Sequence, residues 1–359
     1  MATTFKSLNA KDVISTRNLL HEAIPITGAI VSGTYADLNI KNYSHGMFQS
    51  VYDYPFLSSS ANHIFDLTCG YSNSSYLSSS TSTQNAKKIN MYNEMAQVLV
   101  GFDENNDIRP FDEDGNLTDG GTKLEEVYII NLARLLTKDE IKKGSFTLEL
   151  GVTGSHTTPF ASRIKLQDTD GNSSYKVNSP AGEYGILYAT NSAGTPLLYE
   201  TTAPEAGLIY YQAGIAIVSA SVFAARSSGI NSGLLSASAQ MNVAGETVDA
   251  VLSGSTISAN SDNLRRRIYD LSFNNSVELN STVYFCRANH NEFNYSANPT
   301  YLSSSKIVVK NDSSDVPVSY VTSVGLYSPD NELLAVAKLS EPLKKDPTTE
   351  FTVRVRLDY

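Results

Sequence analysis

Phe351-Thr352-Val353-Arg354-Val355-Arg356-Leu357-Asp358-Tyr359 alternates apolar and polar residues without a break. Successive side chains of a strand point to opposite faces, so this stretch predicts a β-strand with one packed and one wet face. A chain end frays unless a sheet ties it down, so the strand is expected to lie in a sheet. The same period returns upstream: Phe146, Leu148, Leu150 and Val152 alternate with Thr147, Glu149 and Gly151, and Ile209 to Val222 reads as one or two apolar strands. Tyr320 to Tyr327 and Leu333 to Leu339 flank Ser328-Pro329-Asp330-Asn331-Glu332. Pro followed by Asp-Asn presets a reverse turn, hence a hairpin. With Lys306 to Lys310 and the terminal strand, the hairpin predicts a compact antiparallel sheet of about four strands.

Three short helices are expected from end signals. One spans about 10 to 22, with Asn9 as cap, Asp12 three residues on, and Val13, Leu20 and Ile24 on one stripe. A second spans about 85 to 99, with Ile89, Tyr92, Met95, Ala96 and Leu99 as its apolar face and Gly101 as its stop. The third opens on the capping box Thr137-Lys138-Asp139-Glu140 and ends at Gly144. The expected fold is therefore mainly β, with antiparallel sandwich-like domains and a few short helices.

At 359 residues the chain exceeds one typical core. We expect a mixed β domain with short helices over 1–144, a central β domain over 145–270, and a C-terminal antiparallel β domain over 271–359. The central domain holds a Ser/Ala/Gly/Asn-rich segment, about 224–263, where large side chains are scarce. Such a stretch reads as an insertion ordered by a neighbouring subunit or as a mobile loop. Leu57-Ser58-Ser59-Ser60 and Leu77 to Thr83 read as surface loops. No repeat of fixed period stands out, against a solenoid or propeller.

Composition narrows the function classes. Hydrophobic residues make up 41%, with 21 Tyr, 13 Phe and no Trp, a balance that favours half-buried sheet faces and interfaces. A net charge of -10 disfavours sequence-independent binding to nucleic acid or anionic lipid. The one basic run, Arg265-Arg266-Arg267, reads as an exposed loop or ion-pair site more readily than as a phosphate contact. Cys69 and Cys286 lie far apart without CxxC spacing, so packed, reduced thiols are expected. Met1 to Lys6 lacks the apolar core of a signal peptide and no stretch reaches the roughly 20 apolar residues of a membrane span, so a cytosolic origin is expected and the Asn-X-Ser/Thr triplets carry no glycosylation message.

Motifs of chemistry are scarce. His21, His45, His63, His156 and His290 form no HxH or HExxH pattern, and no GxSxG elbow marks a serine nucleophile. Asp112-Glu113-Asp114-Gly115-Asn116 and Asp168-Thr169-Asp170-Gly171-Asn172 set carboxylates two apart before a glycine, which suggests calcium, but neither supplies the closing bidentate Glu. Both read foremost as tight turns. No phosphate-cradling glycine loop is present, and Glu125-Glu126 lies in a strand-like run whose neighbours face opposite ways. No cofactor, metal or small-molecule substrate is expected.

Tyr284 to Tyr301, which includes Arg287-Ala288-Asn289-His290-Asn291-Glu292-Phe293-Asn294-Tyr295, is followed by the Val324-Gly325-Leu326-Tyr327 hairpin and Leu333 to Leu339. This combination resembles virion structural proteins of large contractile-tailed, T-even-like marine myophages. Asn42 to Phe48, Asp53-Tyr54-Pro55-Phe56-Leu57 and Gly207 to Gly214 fit the same likeness, which covers most of the chain outside the Ser/Ala/Gly-rich segment. The hairpin phrase is also similar to segments of tail-collar and fibre-attachment proteins. The resemblance implies a non-enzymatic particle component of the tail, baseplate or neck, made in the host cytoplasm and located in the virion. Its partners would be other virion proteins and further copies of itself.

Two regions are candidates for assembly contacts. Pro299 bars Asn298 from helix, so Asn294 to Pro299 reads as a rigid loop; with Tyr295 and Tyr301 it is either a contact loop or an internally packed corner. The terminal strand either pairs within the chain, leaving Arg354 and Arg356 solvated, or lies at a sheet edge and pairs with another subunit, where the two arginines meet acidic partners. A receptor- or carbohydrate-binding fibre module is the second reading, weakened by the lack of Trp. A secreted or surface hydrolase is the third, weakened by absent motifs.

Overall fold

The structure, a computed structural model, describes residues 5–27, 37–117, 120–197, 202–230, 232–295, 302–303, 306–307, 314 and 317–359. It is mainly β, with antiparallel sheets, few short helices and a sandwich-like character. The strands are β1 (Val13–Thr27), β2 (Ile40–Asn42), β3 (Gln49–Tyr52), β4 (His63–Tyr71), β5 (Glu126–Leu132), β6 (Glu140–Ile141), β7 (Thr147–Gly151), β8 (Arg163–Gln167), β9 (Tyr184–Asn191), β10 (Glu205–Tyr210), β11 (Ile215–Ser219), β12 (Ile268–Ala288), β13 (Leu302–Ser303), β14 (Lys306–Ile307), β15 (Ser319–Tyr327), β16 (Leu333–Lys345) and β17 (Phe351–Asp358). The helices are α1 (Asn85–Leu99), α2 (Arg134–Thr137), α3 (Val248–Gly254) and α4 (Ile257–Arg265).

Two compact units result: a large one, Leu20–Val277, and a small one, Met1–Leu19 with Glu278–Tyr359. In the large unit, β2 to β5 and β7 to β11 form two meanders joined edge to edge, because β11 pairs with β5 (Ile215 opposite Asn131 to Ser219 opposite Val127). That pairing crosses the expected division at residue 144, so 144 separates no units here. The expected start of the last domain, 271, lies near Glu278.

Alternation along β5 builds two cores. Tyr128, Ile130 and Leu132 enter a large cluster with Phe65, Leu67, Leu148, Leu166 and Leu187, while Val127 and Ile129 join Tyr92, Ala96, Leu99, Leu208 and Ile217. The second cluster lies under α1, the one helix found where the sequence placed it, with Gly101 ending it at φ +89°. Close approach of α1 to β4 depends on Gly70: a Cβ there would lie 2.6 Å from the carbonyl oxygen of Lys88.

The Ser/Ala/Gly-rich segment is not a coreless insertion. Most of its sparse large residues, Ile230, Leu234, Met241, Val248, Val251, Leu252 and Ile257, are buried in the large cluster, as is Leu264 just beyond it; Val243 alone among them is largely exposed. On α4 the inner face reads Ile257, Asn260, Ser261, Leu264; Asn260 Nδ2 donates to the Val251 and Thr256 carbonyls and Ser261 Oγ to that of Leu67. Polar residues at inward helical positions hide the apolar stripe from a periodicity reading, yet here the Asn260 amide nitrogen and the Ser261 hydroxyl both donate to backbone carbonyls, while Asn260 Oδ1 is buried without a partner. Lys88 is fully buried as well, its Nζ donating to the carbonyls of Leu252 and Ser255 at the end of α3.

Two other expected helices are corrected. Asp12 does accept from the Asn9 amide, at 3.0 Å, but only a single 3-10 turn, Ala10–Asp12, forms before the chain extends into β1. The β-branched residues of Val13-Ile14-Ser15-Thr16 favour that extension. Thr137 ends α2 rather than opening a helix, since Glu140 and Ile141 pair with Ser276 and Asn275 of β12. The expected four-stranded C-terminal sheet is also replaced. β15 and β16 pair as predicted, with Asn331 at φ +64° in the turn, but β14 pairs with β13, and β17 pairs with β12. Residues 308–310 lie outside the described residues.

The basic run is largely an ion-pair site. Arg265, fully buried, and Arg266 share Asp262 and Asp37. Arg267 differs: it is buried among carbonyls, donating to Gly151, Thr153 and Gln240, and burial pulls its guanidinium down to about 10.

Candidate assembly surface

The small unit contains strands but little interior. Among the described residues it buries only two apolar side chains, Ala288 and Val355, beside Asp12, Ser281, Thr282, Asn294 and Lys345. Yet half of the exposed large apolar side chains among the described residues belong to it.

The hairpin β15–β16 shows why. Directly opposed residues of an antiparallel pair share a face. Leu326 opposite Ala335 and Val324 opposite Ala337 make one half-buried face; Tyr327 opposite Leu333 and Gly325 opposite Val336 make the other. On that second face Tyr327, Leu333 and Val336 are 47%, 54% and 61% exposed, and neighbouring Leu334 is 68% exposed. The Tyr327 ring lies over Gly325 and meets Phe5 edge-on at 5.1 Å. A ribbon apolar on both faces matches a strand pair covered on both sides, not one with a wet face. Sequence reasoning identified the hairpin but missed this face. Its signal was the unbroken apolar run Leu333-Leu334-Ala335-Val336-Ala337, in contrast to the alternation of 351–359.

β17 follows that alternation. Phe351, Val353, Val355 and Leu357 turn inward to varying depth, while Thr352, Arg354, Arg356 and Asp358 are exposed. The strand pairs with β12 from Ser281 opposite Asp358 to Ala288 opposite Phe351, the intramolecular alternative. Arg356 Nε donates to Asp358 Oδ1 at 2.7 Å and its Nη2 to Ser281 Oγ at 3.0 Å. The Ser281 hydroxyl, then Arg356, hold the Asp358 carboxyl below its ordinary value. Arg354 projects from the same face. Tyr295 is half-buried, next to Asn294, which is anchored through Nδ2 to the His290 carbonyl at 2.9 Å. Tyr301, with Asn298 and Pro299, lies outside the described residues.

The acid-base candidates are used structurally. His63 Nε2 lies 2.8 Å from Asp66 Oδ1, which also accepts from Ser50 Oγ. Asp66 is the hub of this trio, so the serine donates to a carboxylate rather than to the imidazole that a nucleophilic serine requires. Asp168 turns inward, accepting from the amides of Gly144 and Phe146 and from the Tyr211 hydroxyl. Burial outweighs these bonds and raises Asp168 to about 6. Asp112 Oδ1 accepts from the Asp114 and Asn116 amides, the pattern of an Asx turn. Glu126 is buried against Ser75 Oγ, and burial raises it to about 6, while Glu125 is half-buried on the opposite face. Burial also pushes the Cys69 thiol up to about 12. Among the described residues no group of three or more His, Cys, Asp or Glu is placed to hold a metal ion, and no helix is long and apolar enough to cross a membrane.

Comparison with family models, with curated proteins and with solved structures finds no match to this chain.

Proposed function

We propose that this chain is a non-enzymatic structural component of a contractile-tailed phage virion, in the tail, baseplate or neck, and that it acts through contacts with other virion proteins and with copies of itself. One observation carries the reading: among the described residues, the small unit exposes an apolar hairpin face while burying only two apolar side chains, Ala288 and Val355. Monomeric proteins seldom expose a contiguous apolar patch of this kind, and such patches mark interaction surfaces. The likeness of Tyr284 to Leu339 to myophage virion proteins supplies the particle. Cross-linking mass spectrometry on intact particles tests it. Links from exposed Lys338 and Lys344 on the hairpin to other virion chains are expected. Particles that lack the chain, or in which those lysines link only within it, would refute the proposal.

A receptor-binding module draws on a separate feature. Half-exposed Tyr43 stacks on His45 at 5.2 Å and 11°, with Phe48 at 4.8 Å and Lys41 over the tyrosine ring, a surface on which a sugar ring would stack. Glycan-array binding lost on Tyr43→Ala would favour it over the structural reading.

A further inference from the structure

Lys345 closes β16 and is fully buried, a rare fate for lysine, in a unit with almost no apolar interior. Its Nζ donates to Asn294 Oδ1 at 2.5 Å, to the Asp346 carbonyl at 2.9 Å and to the His290 carbonyl at 3.2 Å. None of these acceptors is a carboxylate. Asn294 is 8% exposed, and its Nδ2 donates to the same His290 oxygen at 2.9 Å. An amine, an amide carbon and that amide's own nitrogen are thus gathered around one carbonyl, away from water. A C=O bond of about 1.23 Å sets Nζ roughly 3.5 Å from Asn294 Cγ, the separation at which held partners react with high effective molarity.

We propose that Lys345 and Asn294 become joined by an intramolecular isopeptide bond. Nζ, deprotonated, swings off the amide plane and attacks Cγ. The Nζ–Cγ bond forms, the Cγ–Nδ2 bond breaks, and Nδ2 leaves as ammonia, which carries away the lysine's proton as ammonium. Ammonium plus amide becomes amide plus ammonium, so atoms, charge and electron pairs balance with no oxidant or added reagent. The product replaces a buried charge by a neutral amide, which relieves its desolvation. It also closes the chain between 294 and 345, as a disulfide does in units too small to hold a core. The small unit has a single cysteine, Cys286, and so has no such bridge of its own.

Intact-mass spectrometry of the purified full-length chain tests this directly. The expected mass is about 17 Da below that of the sequence, the loss of one ammonia, with a protease-resistant link between the peptides containing Asn294 and Lys345. Conversion should need no added enzyme or cofactor, since the reacting groups are already held together. Lys345→Met and Asn294→Ala should each restore the full mass. Full mass in aged wild-type protein would overturn the proposal. So would an ammonia loss that persists in Lys345→Met, which marks a succinimide elsewhere. Should the variants fail to fold, the linked peptide from the wild-type chain decides alone.

Discussion

The large unit and the small unit are both made of antiparallel strands, but they handle burial in opposite ways. In the large unit both faces of β5 are covered, one by the cluster that takes in the 224–263 segment and the other by α1, and even Lys88, Asn260 and Arg267 are drawn in, each donating to backbone carbonyls. In the small unit, strand pairing and ion pairs replace a core: Arg287 bonds Asp12, Arg17 bonds Glu278 and Lys6 bonds Glu292. Of these only the Arg17 pair is largely exposed; exposed pairs contribute about 0–1 kcal/mol each, against about 1.5–3 kcal/mol for a fully buried Leu or Ile. Hydrogen-bonded strands can thus form a sheet without forming a stable body, and a sheet left in that state is suited to completion by another chain.

The contrast can be broken by parallel substitutions, taken from the largest expected effect to the smallest. Leu67→Ala, in the filled core, should cost about 2–5 kcal/mol in urea unfolding. Gly70→Ala should cost about 3 kcal/mol, because its Cβ would meet the rigid backbone of α1 at Lys88 and Tyr92. Its counterpart Gly325→Ala meets only the ends of two side chains, the Tyr327 ring edge and Leu333 Cδ1, which can move, so under about 1 kcal/mol is expected. A small-unit value as large as that of Gly70 would erase the distinction.

Acidity sharpens it. Burial raises Glu126 from 4.5 to about 6, so its contribution is fully present below pH 4.5 and is lost as pH climbs through 6. Glu126→Gln should remove that loss, making the variant up to about 2 kcal/mol more stable relative to wild type at pH 7 than at pH 4.5, if the Ser75 bond is kept. Thermal unfolding at the two pH values checks this; equal differences would place the carboxylate in water. Smallest of all, Val336→Ala should shift the stability of the isolated chain by less than about 0.5 kcal/mol, yet weaken incorporation into particles.

Legibility in the sequence followed the same division. Alternating strands such as 351–359 and 146–152 could be read because a period of two survives any choice of partner, although the polar positions of 146–152 are covered too. The partner itself could not: β17 finds β12, far upstream, rather than the nearer hairpin, because register is set by distant faces. Val13, Leu20 and Ile24 fitted a helical stripe as well as a strand, and Asp12 formed its amide bond in either case. The 224–263 segment was misread because composition counts side chains, whereas packing depends on where the few large ones point. Of the candidate contacts, Arg354 and Arg356 were legible as an outward pair, and the hairpin face was not, since continuous apolar runs look like core until no core is found around them.

The central claim is that the small unit is left incomplete in the solitary chain and is completed by other chains. Hydrogen exchange read segment by segment, on the purified chain and then on the assembled particle, tests it most directly. In the solitary chain the amides of β15, β16 and β17 should exchange at least about a hundredfold faster than those of β4, β5 and β11, and assembly should slow the first set while leaving the second unchanged. Hairpin amides as protected as β5 in the solitary chain, or unaltered by assembly, would contradict the account.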